Sequence, residues 1–327
     1  MIAVLGAAGT IGRVVCAFLE EWRMPVARRD FRLEGHEHVD ARDASSLRRA
    51  LAGAAVCVNC VDYRLNLDVM EAALESGCHY VDLGGLFHMT RRQLEHDARF
   101  EAAARTAVLG IGSAPGKTNL LARAAVERLG TEPRTLEIWA ATRDPAAAEH
   151  PFPAPYSVRT LLDELRMAPM VVERGRLVEA EPVSGAATRV FPEPVGEAEG
   201  IFTLHSELAT LPLAYPSLEH ASFRLCLAPG LLEKLLALDE DSLPEPYEQS
   251  AGSVAVHLVE VGDGARSVTG MTITRGGSAR STAEPAARAA TELLEGRVDT
   301  RGVHAPEAAI TDPEAFLGSL DTEVRWN

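Results

Sequence analysis

Lysine is nearly absent from this sequence: Lys117 and Lys234 are two among 32 basic residues. Long apolar runs are missing too, and none approaches the roughly 20 residues that a helix needs to cross a bilayer. Residues 1–5 enter a strand-like run at once, without the basic stretch that opens a secretory leader. The expectation is a cytoplasmic protein with no membrane partner. A positive surface is also lacking. The net charge is −15, which speaks against nucleic acid as a partner, because such binding depends on releasing counterions to basic side chains. Cysteine is sparse and odd in number: Cys16, Cys57, Cys60, Cys78 and Cys226. They sit inside apolar runs, as small buried hydrophobes do, so no disulfide framework is expected. Cys57-Val58-Asn59-Cys60 spells C-x-x-C, but inside a strand-like run rather than at a helix start, which speaks against redox use. His36 and His38 have no cysteine or further histidine cluster nearby, and no metal site is expected.

What is present is alternation. Residues 2–5, 26–27, 55–60, 80–83 and 108–111 read as strands, with a weak further one at 38–40. Between them, Ile11, Val14, Val15, Phe18, Leu19 and Trp22 mark one face of a helix. Further helices are predicted at 43–51, 66–76 and 118–129. Another is predicted after a capping box at Thr90 and Gln93, reaching residue 104. Strands alternating with helices over short connections imply an α/β fold, a doubly wound parallel sheet covered on both faces. From about Pro133 the texture changes to a mostly antiparallel sheet with few helices, an α+β domain over 131–281. Residues 254–261 and 267–275 flank Gly262-Asp263-Gly264, a hairpin signal. A helix follows at 284–294, then an irregular tail with a short helix near 312–320.

The first strand runs into Gly6-Ala7-Ala8-Gly9-Thr10-Ile11-Gly12, which opens the first helix. Gly6 permits the tight turn, Gly9 lets backbone approach a diphosphate, and Gly12 lets helix pack on strand. The amides at Thr10 and Ile11 belong to a helix N-terminus, which favours phosphate. This is the Rossmann signature of dinucleotide binding. After the second strand come Arg28, Arg29 and Asp30. Two guanidinium groups suit a 2′-phosphate and favour NADP, while Asp30 leaves NAD open as a ribose partner. Asp43 is a candidate adenine contact, and Asn59, Cys60 and Val61 end the strand beside the expected nicotinamide ribose.

Ligands of open α/β sheets lie beyond the carboxyl ends of the strands. That nominates Tyr63 and Arg64, Gly84 and Gly85, and the stretch Ser113, Lys117, Thr118 and Asn119. Lys117 and Tyr63 are candidate acid–base groups, with Arg64 to grip a carboxylate. In the second domain the polar candidates are Tyr156, Arg159, His205 and Glu207. His205 titrates near neutrality and is a third candidate acid–base group.

The chain resembles the saccharopine dehydrogenase family, in its NADP-linked reductase branch with carboxynorspermidine dehydrogenase-like relatives. The resemblance rests on residues 4–12, Val58-Asn59, and Gly77-Cys78-His79-Tyr80-Val81-Asp82-Leu83. It also rests on residues 110–122 around Pro115-Gly116-Lys117, His205-Ser206-Glu207, and Gly302-Val303-His304-Ala305-Pro306-Glu307. It implies a Rossmann domain of residues 1–130 completed by 282–327, with 131–281 inserted as a substrate and dimerisation domain. It implies an amino-acid or polyamine substrate whose secondary amine and imine interconvert by hydride transfer with NADP or NAD, in a homodimer. Where saccharopine enzymes resemble Asp-Pro-Gly, this chain has Ala114-Pro115-Gly116, which removes an acidic contact for a substrate ammonium. Two other functions share the binding loop: a catalytically silent dinucleotide-binding regulator, and a homospermidine synthase-like enzyme with a closed redox cycle.

Overall fold

A computed structural model describes residues 1–148, 150–239 and 242–327. The chain begins β1 (Ile2–Leu5), α1 (Thr10–Glu21), β2 (Val26–Arg29), α2 (Ala44–Leu51), β3 (Val56–Asn59), α3 (Asn66–Glu75), β4 (His79–Asp82), α4 (Leu86–Leu94), α5 (Asp97–Ala102) and β5 (Thr106–Val108). It continues α6 (Lys117–Leu129), β6 (Thr135–Arg143), α7 (Val158–Arg166), β7 (Met170–Glu173), β8 (Arg176–Glu179), β9 (Ala187–Val190), β10 (Glu197–Phe202), α8 (Glu207–Ala214), β11 (His220–Cys226) and α9 (Leu231–Leu236). It closes with β12 (Val254–Gly262), β13 (Ser267–Arg275), α10 (Gly277–Leu294), β14 (Gly302–His304), α11 (Pro306–Ala309), α12 (Pro313–Gly318) and β15 (Glu323–Trp326).

Two compact units result, residues 1–116 with 282–312, and residues 117–281 with 313–327. The boundary falls before α6 rather than at residue 130, and the last fifteen residues go with the second unit because β15 pairs with β13 there.

The first unit is a six-stranded sheet in the order β14-β5-β4-β3-β1-β2, with every pairing parallel. Its strands are short and apolar on both sides. Ala3, Leu5, Cys57 and Tyr80 face the core shared with α2, α3 and α5, while the alternating Ile2, Val4, Val56, Val58 and Val81 are equally buried. Each such aliphatic side chain contributes about 1.5–3 kcal/mol of burial free energy, which is why a parallel sheet reads as a continuous apolar run. The chain leaves β1 to one side for β2 and returns to the other for β3. The order therefore reverses at β1, and the carboxyl ends of β1 and β3 form the switch point where such sheets bind ligands.

Three sequence expectations change here. The weak strand at 38–40 is a single bridge, Asp30 to His38. Thr90 and Gln93 do not cap a helix. The helix starts at Leu86, after Gly85, so both residues are interior and buried, and a second short helix replaces its end. The tail supplies β14, which completes the sheet against β5.

The second unit is a nine-stranded sheet, largely antiparallel. Its main path is β15-β13-β12-β6-β11-β10-β9, with β7 joining β11 and β8 joining β7; among the described residues only β6 and β11 run parallel. The Gly262-Asp263-Gly264 hairpin forms as expected. The Asp263 carboxylate accepts the amides of Ala265 and Arg266 and is held well below the usual carboxylate range. Trp139, Ala141, Val254, Val256 and Leu258 build a core on one sheet face.

Candidate functional site

In the first unit a cavity of about 370 Å³ opens at the switch point. Its wall includes Gly6 and Gly9 from the glycine loop, and Cys60, Val61 and Asp62 beyond β3. The loop is sterically fixed. Gly6 has φ +77°, and a Cβ there would lie 2.7 Å from the Cys60 carbonyl oxygen. A Cβ on Gly12 would collide with the Gly6 carbonyl. Gly9 is the N-cap of α1, and no side chain caps the helix, leaving the amides of Thr10, Ile11 and Gly12 at an end where a diphosphate is favoured. A Cβ on Gly9 would lie 3.4 Å from Arg32 Nη2. The residues present therefore fit a dinucleotide: backbone approaches closely where phosphate belongs, and a guanidinium stands beside it.

The arginines are arranged differently from the sequence expectation. Arg28 turns back to α1 and pairs with Glu20 at 2.7 Å, and it does not line the cavity. Arg29 does line it, with its Nε on the Ala50 carbonyl and Nη1 on the Arg28 carbonyl. Arg32 and Arg42, not singled out from sequence, line it too. Asp30 is buried and already engaged. Its Oδ2 accepts the Ala8 amide at 3.0 Å, and its Oδ1 accepts the Arg32 amide and Nε at 2.9 and 3.2 Å. Burial opposes its charge, but Arg32 and these amides hold the carboxyl below its ordinary range. Asp43 is corrected outright: its carboxylate caps α2 through the amides of Ser45 and Ser46, and it lies off the cavity wall.

A repeated signal marks the rim. Asp30-x-Arg32, Asp40-x-Arg42 and Asp62-x-Arg64 each fold into the same turn, the aspartate accepting the amide and the guanidinium two residues on. All three aspartates line the cavity. Arg64 pairs with Asp62 just as Arg32 and Arg42 pair with theirs, and its guanidinium carbon lies 4.8 Å from the Tyr63 ring, but neither Tyr63 nor Arg64 lines the wall.

Behind the strand ends lies a buried polar cluster that sequence reasoning missed. Asp82 accepts from the Gly110 amide at 2.6 Å, the Gly84 amide at 3.0 Å, Gln93 Nε2 at 2.6 Å, Tyr80 Oη at 3.0 Å and Asn66 Nδ2 at 3.3 Å. Burial pushes its carboxyl up, against the pull of these donors. Asn59 belongs to this cluster through Asn66 and Tyr80, and its Oδ1 accepts the Val61 amide. Its side chain orders the loop instead of lining the cavity, unlike Cys60 and Val61. Gly84 and Gly85 are explained by backbone: Gly84 has φ +119°, and a Cβ on Gly85 would meet Gln93 and Met89 at 2.8 Å. Ser113 is buried in a closed turn where Gly112 bridges Gly116. The Cys57 and Cys60 thiols are free and pushed up by burial, which disfavours the reactive thiolate.

In the second unit Lys117, Thr118, Asn119, His205 and Glu207 are interior. Lys117 is fully buried, its Nζ donating to Thr274 Oγ1 and Ser281 Oγ, each at 2.6 Å. Lys117, a candidate acid–base group from the sequence, is thus embedded among hydroxyls. Thr118 donates to Glu207 at 2.7 Å, and Asn119 Nδ2 lies 3.3 Å from Thr210 Oγ1. His205 Nδ1 is 3.2 Å from Glu207 Oε2, while its Nε2 faces Glu164 Oε2 at 3.8 Å, and the ring stacks on Phe223 with centroids 3.6 Å apart. Burial alone would lower the imidazole pKa, but Glu207 and Glu164 outweigh it and push it up to about 10. His205 is thus a charged partner of two carboxylates, not a group poised at neutrality. Tyr156 donates to Glu164 at 2.6 Å, so Tyr156, Glu164, His205, Glu207 and Thr118 form one chain of contacts. Arg159 is exposed on α7, outside this chain.

A glycine loop at the switch point of an all-parallel sheet defines a Rossmann-type dinucleotide-binding protein. Residues 2–108 match the family model for the saccharopine dehydrogenase NADP binding domain. Among solved structures, an apo saccharopine dehydrogenase (L-Glu forming) from Saccharomyces cerevisiae is similar over 100% of this chain and 99% of its own, with TM-score 0.71 and 15% identity. An engineered D-amino acid dehydrogenase bound to NADP+ and the DAP dehydrogenase of C. glutamicum in complex with DAP each cover 95% of this chain and 94% of their own. Their identity is 14%, at TM-scores of 0.48 and 0.47. The family model thus matches a segment of the first unit, and the likeness to the yeast enzyme is one of fold over the whole chain. Among the described residues no helix is long and apolar enough to cross a membrane.

Proposed function

We propose that the protein uses NADP to interconvert an imine and a secondary amine of an amino-acid or polyamine derivative. The observation that carries this reading is the cavity at the ends of β1 and β3, where uncapped helix amides and three arginines converge. In the proposal the Gly6–Gly12 loop holds the diphosphate, and Arg29, Arg32 and Arg42 surround the 2′-phosphate. The NADP preference is supported by Asp30, whose carboxylate is already taken by Ala8 and Arg32, so it has little left to offer a ribose hydroxyl. When bound, the nicotinamide supplies or accepts the hydride; the protein contributes position and charge. The family match on residues 2–108 supports the same reading.

Gly9→Asp tests it directly. A carboxylate placed beside the helix N-terminus occupies the phosphate position with like charge. The wild type should bind NADPH in a calorimetric titration, and the variant should lose at least a hundredfold in affinity. Equal NADPH affinity in the two proteins would reject the loop as the binding site.

A further inference from the structure

The second unit contains its own cavity of about 650 Å³, a size suited to a small metabolite. It lies at the end of β6, where Arg143 enters it, and at the end of β11, where Leu225 and Cys226 close one side. Five prolines, among them Pro153, Pro155 and Pro194, give it stiff apolar walls.

Arg143 is the anomaly. It is partly buried, and burial lowers its guanidinium pKa. Among the described residues its side chain makes no hydrogen bond, ion pair or ring contact. By contrast, Arg189 and Arg224 on the same sheet have Glu137 as partner. A half-desolvated cation without a protein partner costs stability, and its donors are left to face the cavity. The carboxylates nearby do not serve. Asp144 is saturated by the amides of Ala146 and Ser250 and by the Ser250 hydroxyl, and Glu197 on the wall lies beyond ion-pair range. Lys234, also on the wall, donates to the Pro151 carbonyl at 2.7 Å and adds a second positive charge.

We propose that this cavity binds a carboxylate attached to an apolar body, with Arg143 as the anchor. The guanidinium fork matches a carboxylate through two parallel hydrogen bonds. The apolar walls take the carbon chain, and Tyr156, which lines the cavity and is fixed by Glu164, contributes the remaining polar edge. A polyamine is the wrong ligand for such a site, since its ammonium groups would meet Arg143 and Lys234 with like charge. That the ligand is the substrate rests on the oxidoreductase reading; the site itself stands on the second unit alone.

The test is calorimetric titration of the full chain with glutarate, and with 1,5-diaminopentane as the matched cation. Wild type should bind glutarate saturably and show no saturable heat with the diamine. Arg143→Gln should weaken glutarate at least tenfold. Arg143→Lys, which keeps the charge and loses the fork, should weaken it less. A cavity-filling Ala228→Trp, at a half-exposed position on the wall, should abolish binding with Arg143 intact, which guards against misfolding of one variant. No saturable binding of glutarate to wild type, equal affinity in Arg143→Gln, or preference for the diamine would each overturn the proposal. NADPH titrated into the same preparations separates the two readings: glutarate binding that depends on Arg143 without NADPH binding would sink the oxidoreductase function and keep the site, and the reverse would do the opposite.

Discussion

Arg32 closes over Asp30 at the mouth of the glycine loop, Nε to Oδ1 at 3.2 Å, while the other carboxylate oxygen accepts the Ala8 amide at 3.0 Å. One buried carboxylate thus ties the strand end, the phosphate loop and the guanidinium together. The same contact that removes Asp30 as a ribose acceptor places Arg32 near Gly9.

Discrimination between NADPH and NADH should accordingly reside in Arg32. A charge-assisted hydrogen bond to phosphate is worth about 1.5–3 kcal/mol, or roughly ten- to a hundredfold in affinity. Arg32→Ala should weaken NADPH by that factor and NADH by less than threefold. Arg28→Ala, which breaks only the surface pair with Glu20, should leave both within twofold. Fluorescence titration of both nucleotides against each variant decides the matter; equal losses for NADPH and NADH in Arg32→Ala would remove the 2′-phosphate from the account.

Asp82 holds the ends of β4 and β5 by accepting from five donors. Asp82→Asn puts an amide donor among donors, leaving buried groups unpaired at about 1–3 kcal/mol each. A loss of about 3 kcal/mol is expected, read as a lower urea midpoint. NADPH affinity should fall as well, because Asn59 and Gly84 lose their anchor. An unchanged midpoint would show that the cluster tolerates a neutral centre.

The parts of this protein legible in its sequence are those whose chemistry is local. The glycine loop needs no distant partner to be recognised, since turn, approach and helix start are all set within seven residues. Arg28 and Arg29 could not be sorted, because both faces of a parallel strand are covered and neighbouring side chains point opposite ways. The Thr90–Gln93 spacing of a capping box is also the spacing of two buried positions on one helix face, and only Asp82 reveals which applies. Three-residue β14 carries no pattern of its own; β5 and the Asp97 carboxylate on the Val303 amide define it. His205 and Glu207 are neighbours in sequence, but Glu164 reaches them from α7, and nothing local announces it.

Removing the hydroxyl of Thr118 should expose the cost of leaving Glu207 short of a donor. Thr118→Val keeps the shape and deletes the 2.7 Å bond to a fully buried carboxylate. A loss of about 2 kcal/mol is expected, with NADPH affinity unchanged because the glycine loop is untouched. A cofactor defect in this variant would contradict that separation.

His205 makes the stability of the second unit depend on alkaline pH. Its folded-state pKa is raised to about 10, above the ordinary value near 6.5. The folded state therefore holds a proton that the unfolded state gives up between those values. The stability this supplies is complete below about pH 6.5 and is lost progressively as pH rises through about 10. Thermal midpoints of wild type should fall by several degrees between pH 7 and 10. His205→Gln should be less stable at pH 7, because Glu164 and Glu207 lose their shared cation, and its midpoint should change less over the same range. If the two proteins lose stability in parallel from pH 7 to 10, the imidazole is not carrying the charge that the carboxylates on either side require.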